Sequence, residues 1–231
     1  MQQVFDINDF EAWTSPHLAC VLLLDISDSM NDDGKIDILN KTLQNFKEMY
    51  ENRFDVNKRS VVDIALVTFG GNGVELKQNF LPIGRFNPPI LTASGETPLC
   101  EAIIYSLDLI EQRIQFYSAP EQVGCGYHRP WLFCITAGML TDMENFLKAK
   151  EKIQSYVDEK KVVAICHMVN DFDTSKVVEM FGIGNCLHLE GIDFADYFNF
   201  LSNSISSIGV SSNGKEIPMS EEVKIHTRFF D

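Results

Sequence analysis

The chain has 231 residues, 45 % of them hydrophobic and 11 % aromatic, with 17 Phe. That is ample for one packed core and excludes wholesale disorder. Nineteen basic against 33 acidic side chains leave a net charge of −14, a field that repels phosphate backbones and anionic membranes, so neither a nucleic acid nor a membrane is expected as partner.

No run approaches the roughly 18 apolar residues a membrane span needs. Met1 to Phe10 carries acids and no basic cluster ahead of an apolar run, unlike a secretory signal. The six cysteines (Cys20, Cys100, Cys125, Cys134, Cys166 and Cys186) are scattered, and four sit inside apolar runs. That is the habit of buried reduced thiols and points to a cytoplasmic protein.

The first strand signal is Ala19 to Asp25, a continuous apolar run that predicts a central strand covered on both faces. Ile36, Leu39, Leu43, Phe46 and Tyr50 recur at helical spacing and predict an amphipathic helix over 35–50. Ser60–Thr68 and Val74–Ile83, broken by Gly70, Gly71 and Gly73, read as an antiparallel hairpin. A long loop through Pro88-Pro89 leads to a helix over 98–117, with Pro98 suited to its first turn. Phe80 and Phe86 read as packing under that loop.

Trp131–Thr136 predicts a strand, followed by a helix over 143–159 with Thr141 and Glu144 as a capping box. Strands over 162–169 and 186–189 and helices over 174–181 and 194–207 follow, the last bearing Phe194, Tyr197, Phe198 and Phe200 as core. The Ser/Asn/Gly-rich tail ends in an alternating segment, 223–229, that either pairs with a sheet edge or stays loose. Strands alternating with helices predict a doubly wound α/β domain, mostly parallel, with one antiparallel edge and helices on both faces. The expected organisation is an arm over 1–17, a domain over 18–207 and a tail over 208–231.

In such sheets ligands bind in loops beyond the carboxyl ends of the strands. Asp25, Ser27 and Ser29 alternate along an extended segment after the first strand. Thr97 precedes a later helix, and Thr136-Ala137-Gly138 ends the next strand. One carboxylate and three hydroxyls are hard oxygen donors, the kind Mg²⁺ and Mn²⁺ prefer in octahedral geometry with water completing the shell. A site so poor in charge favours a carboxylate arriving from a partner, which is binding and needs no catalysis.

Three stretches carry a family resemblance: Leu22-Leu-Leu-Asp-Ile-Ser-Asp-Ser-Met30, Leu91-Thr-Ala-Ser-Gly-Glu-Thr-Pro-Leu99 and Tyr127-His-Arg-Pro-Trp-Leu-Phe-Cys-Ile-Thr136. The chain resembles a von Willebrand factor A (VWA) domain with its metal-ion-dependent adhesion site, and more closely the bacterial tellurium-resistance TerY-like proteins. The resemblance covers roughly 19–207. It implies a Rossmann-like VWA fold and assigns Asp25, Ser27, Ser29 and Thr97 to the metal. It also implies a bacterial stress setting (tellurite or other chemical stress, or phage defence) and an adaptor acting with a kinase-like and a PP2C-like phosphatase protein.

The family's third metal element is an aspartate before a glycine, and here that place holds Ala137, before Gly138. An alanine methyl neither coordinates metal nor holds a metal-bound water, so affinity for a divalent ion is expected to fall. Two accounts stay open: a naturally degenerate site, or deliberate replacement of the aspartate, which the otherwise intact string 135–142 favours. Asp28, Glu96, Gly138 and Asp142 make up the expected partner-binding rim. Each acid there also has a plainer reading, as a solubilising loop residue or a helix-start acid.

Among enzymes, the haloacid-dehalogenase phosphatases place a nucleophilic Asp after a similar first strand and need a second Asp two residues later. Ser27 stands there instead, and Ala137-Gly138 offers no acidic ligand. The expectation is therefore a non-enzymatic interaction module. A Mg²⁺-dependent phosphohydrolase and a metal-independent VWA scaffold are the alternatives.

Overall fold

The computed structural model of the chain describes residues 16–53, 62–119, 126–169 and 173–189, the positions 194, 198, 199, 201 and 203, and 227–228. Most of the 1–17 arm and the 208–231 tail therefore lies outside the described residues, as do Cys125, Tyr197 and Phe200.

The continuous apolar run after His17 forms β1 (Leu18–Ile26), all nine residues buried. Its side chains divide by parity between two cores, as a strand's period of two requires. Leu18, Cys20, Leu22 and Leu24 join Ile36, Leu39, Leu43 and Phe46 of α1 (Lys35–Arg53) on one face. Ala19, Val21 and Leu23 join α2 (Leu99–Ser118), α3 (Phe146–Asp158) and α4 (Ser175–Phe181) on the other. Phe194, Phe198 and Leu201 pack into the α1 side, and Phe86 meets Phe46 edge-on under the long loop.

The remaining strands are β2 (Val62–Gly70), β3 (Gly73–Pro82), β4 (Trp131–Thr136), β5 (Val163–Val169), β6 (Cys186–Leu189) and β7 (Thr227–Arg228). Their order across the sheet is β3-β2-β1-β4-β5-β6-β7. The pairings β1–β2, β1–β4, β4–β5 and β5–β6 are parallel, and the glycine-turned β2–β3 hairpin is antiparallel at one edge, as expected. At the other edge the two residues of β7 pair antiparallel with β6, so part of the alternating tail segment does join the sheet. The fold is thus a doubly wound α/β sheet with helices on both faces.

The five described cysteines are buried and free. No helix among the described residues is long and apolar enough to cross a membrane.

Two local expectations change. Asp28–Gly34 forms 3-10 turns directly after β1, with Asp33 at φ 54. The helix expected from 143 opens as a 3-10 turn, Met143–Asn145, before α3 starts at Phe146. The capping box is absent there: Thr141 faces Thr97, accepting its N–H at 3.1 Å and donating its own N–H to the Thr97 carbonyl at 3.1 Å.

Candidate metal centre

Chain order reverses between β1 and β4, and their adjacent carboxyl ends are the place where sheets of this kind bind ligands. Asp25 lies at that end of β1 and is fully buried. One carboxylate oxygen accepts the Ser27 N–H at 2.8 Å. The other accepts the Thr136 hydroxyl at 2.9 Å and the Ala137 N–H at 3.0 Å. Burial pushes the Asp25 carboxyl up from its ordinary range, and these neutral donors offset that only in part.

The hydroxyls converge beside it. Ser27 Oγ and Ser29 Oγ are 3.0 Å apart. A methyl group placed on Gly138 would lie 2.8 Å from Thr97 Oγ1, 2.9 Å from Ser29 Oγ and 3.5 Å from Ser27 Oγ. Three hydroxyl oxygens from two loops therefore face one point, and glycine at 138 leaves that point clear. Adjacent ligands of an octahedron with metal–oxygen bonds of about 2.1 Å stand ~3.0 Å apart, so the serine pair has a fitting span. The charge fits less well, because Ala137 brings a buried methyl where a second carboxylate would stand.

Three anchors fix the loops. The buried Lys35 ammonium donates to the Ser29 carbonyl at 2.7 Å. Asn40 of α1 grips Leu91 from both sides, accepting its N–H and donating to its carbonyl, each at 2.8 Å. The Ser94 N–H then meets the Ile26 carbonyl at 2.8 Å, and the Asp28 N–H meets the Gly95 carbonyl at 3.0 Å. Gly95 has φ +75 and packs so close to Gly71 that a Cβ would sit 2.7 Å from its carbonyl oxygen.

The structure brings Asp25, Ser27, Ser29, Thr97 and Gly138 together, with Ala137 at their edge. Asp28 and Glu96 are exposed on the two joined loops. Asp142, expected on the partner-facing rim, is instead buried, its carboxylate accepting the Cys100 and Glu101 N–H groups at 3.2 and 2.7 Å. The first amides of α2 lack intrahelical acceptors, and a carboxylate satisfies them while complementing the helix dipole. Sequence reasoning placed Thr136 in a converging loop without giving it a role, and missed Lys35 and Asn40. A polar residue closing β4 and a lysine heading an amphipathic helix were the available signals. Among the described residues, no three His, Cys, Asp or Glu side chains are grouped to hold a metal.

No protein-family profile and no curated protein matches the chain. Solved structures do. The vWF domain of the type V pili tip protein Mfa5 from Porphyromonas gingivalis aligns over 88 % of this chain and 99 % of its own, at TM-score 0.58 and 8 % identity. The fold is that of a VWA domain. The pilus adhesin SpaC from Lactobacillus rhamnosus GG aligns over 82 % of this chain, at TM-score 0.62 and 11 % identity. Proximal thread matrix protein 1 from the mussel byssus aligns over 84 %, at TM-score 0.51 and 14 % identity. The chain spans 30 % and 46 % of those two proteins' lengths. At such identities the likeness is one of VWA fold.

Proposed function

We propose that this VWA domain is a non-enzymatic protein-interaction module whose recognition face is the carboxyl rim of its sheet. The observation behind this is the cradle at Gly138, where three hydroxyl oxygens face one point beside a buried carboxylate. That is an arrangement of oxygen donors, without an acid–base pair.

Asp25, Ser27, Ser29 and Thr97 would hold Mg²⁺ or Mn²⁺. The chemistry a bound ion supplies is attraction for one more oxygen donor, here an Asp or Glu carboxylate of a partner. Asp25 contributes the negative charge, held in place by Ser27, Thr136 and Ala137. Ser27 and Ser29 offer hydroxyl oxygens at a fitting span, and Thr141 fixes Thr97 through the backbone. With alanine at 137 the ion is under-neutralised, so binding is weak until the partner's carboxylate arrives. Resemblance to the TerY-like proteins supports a cytoplasmic role in bacterial stress, tellurium resistance or phage defence, beside a kinase-like and a PP2C-like phosphatase protein. Co-purification with those two proteins tests the partnership.

A metal-independent scaffold is the second reading. It is favoured by the saturation of the cluster: both Asp25 oxygens already accept bonds, and the two serine hydroxyls bond each other. Calorimetric titration of Mg²⁺ and Mn²⁺ into this chain and its Ala137→Asp variant separates the two. Binding by the variant, with weak binding by this chain, supports the metal reading. Silence from both withdraws it in favour of the scaffold.

A further inference from the structure

Beside the hydroxyl cluster, the segment from Gly138 into α3 places alternate side chains in opposite environments. Leu140 and Phe146 turn into the core on the α2 side of the sheet. Met139, Met143 and Leu147 point out, at 61, 46 and 68 % exposure. These are three of the nine large apolar side chains left exposed among the described residues, and they fall within nine consecutive positions. Met143 and Leu147 are four residues apart in continuous helical turns, so they are neighbours on one face. Met139 directly follows Gly138, which abuts the hydroxyls.

The turn that carries them is held firmly. Thr141 is bonded twice to Thr97, and Asp142 caps α2. A pre-ordered apolar surface loses little freedom on binding. Methionine adapts its shape to a partner at low cost.

The loops beside Met139 are acidic, and basic side chains begin past Leu147, where Lys148 is exposed and Lys176 lies over the Phe146 ring. Asp28, Asp32, Asp33, Glu96 and Glu144 are exposed, and the stretches 27–34, 92–98 and 137–147 contain no lysine or arginine. The nearby Lys35 is buried and directed at the Ser29 carbonyl. Such a field attracts cations and repels an acidic segment in the absence of a metal.

We propose that Met139, Met143 and Leu147, bordered at the Met139 end by these acids, form a docking surface for a partner-protein segment that presents an apolar side chain with Lys or Arg on the side facing Asp28 and Glu96. The surface works without a bound ion, so it stands or falls separately from the metal reading.

Fluorescence anisotropy with three labelled synthetic peptides of equal length tests this on the full chain in EDTA. One peptide carries Lys and Leu at helical spacing, one Lys and Ser, one Glu and Leu. The Lys/Leu peptide is expected to bind, and the other two to bind at least about tenfold more weakly. Met139→Ser with Met143→Ser weakens the Lys/Leu peptide at least about tenfold, both positions being exposed and the fold unaffected. Asp28→Asn with Glu96→Gln weakens it severalfold and flattens its salt dependence. Leu81→Ser, on the far edge strand, leaves it unchanged. Equal binding by the Lys/Ser peptide, or full binding by the double Met variant, overturns the proposal. Failure of the Lys/Leu peptide to bind in EDTA overturns it too.

Discussion

Two aspartates are buried at opposite ends of neighbouring parallel strands, and they are built differently. Asp25, at the carboxyl end of β1, accepts bonds from two backbone amides and a hydroxyl. Asp63, at the amino end of β2, accepts bonds through one oxygen from Arg113 at 2.8 Å, from His17 at 3.2 Å and from the Tyr117 hydroxyl. Arg113 also lies over the Phe116 and Tyr117 rings. Burial pushes both carboxyls up. At Asp63 the bonds from His17, Tyr117 and Arg113 override it and hold the group below its ordinary range, whereas at Asp25 burial wins. A buried carboxylate closed by a cation is a structural staple. One held by neutral donors remains short of positive charge, and that shortage is what a binding site has to offer.

The contrast is broken most directly at Asp63. Asp63→Asn leaves Arg113 without its anion and is expected to cost about 3 kcal/mol in urea unfolding, at the low end for a buried pair because Arg113 is partly exposed. A cost under half of that would make the staple ornamental.

Acid sharpens the same comparison. His167 is fully buried in β5, and burial pushes it down to about 3. The unfolded chain, with its histidine near 6.5, binds the proton first, so stability is full above pH 6.5 and falls as pH drops toward 3. The slope is about 1.4 kcal/mol per pH unit, or about 2 kcal/mol between pH 6.5 and pH 5. His167→Gln should remove that slope. The residual loss below about pH 4 then belongs to carboxylates with depressed folded values such as Asp63, whose stabilisation is full above the unfolded value and lost as pH falls through the folded one.

Asp25→Asn removes a charge with no cation beside it and leaves one donor without an acceptor. It should cost only about 1 kcal/mol. In an Ala137→Asp background it should abolish any calorimetric response to Mg²⁺. The smallest stability effect is expected from Gly138→Ala. Its methyl meets the tips of Thr97 and Ser29, which can turn to other rotamers for about 0.5–1.5 kcal/mol. Yet the hydroxyls no longer face one point, so in the same background the metal response should be lost while the melting curve barely moves.

The order and type of the main elements were legible because β1 and β4 are unbroken apolar runs and α1 repeats its apolar residues at helical spacing. The Asp25–Ser27 pair was legible because the two alternate along extended chain and side chains two apart share a side, whereas Ser29 reaches the cluster from the 3-10 turn Asp28–Gly34 and not from the extended segment expected. Asp142 was misplaced because its partners are the amides of a helix more than 40 residues earlier, and no local pattern reports that. The Asp63 staple was missed for the same reason, since His17, Arg113 and Tyr117 lie 46, 50 and 54 positions away. A lone acid within the apolar string Val61-Val-Asp-Ile-Ala-Leu-Val67 was its one trace.

Lys35 and Asn40 also have a mechanical meaning. They sit in the first two turns of one helix, and each holds a different loop, one bearing Ser29 and the other leading to Thr97. A pull or push along α1 is therefore delivered to both loops at once. The hydroxyl tripod travels as a unit under load, with its spacing insulated from strain that would drag one leg away from the others.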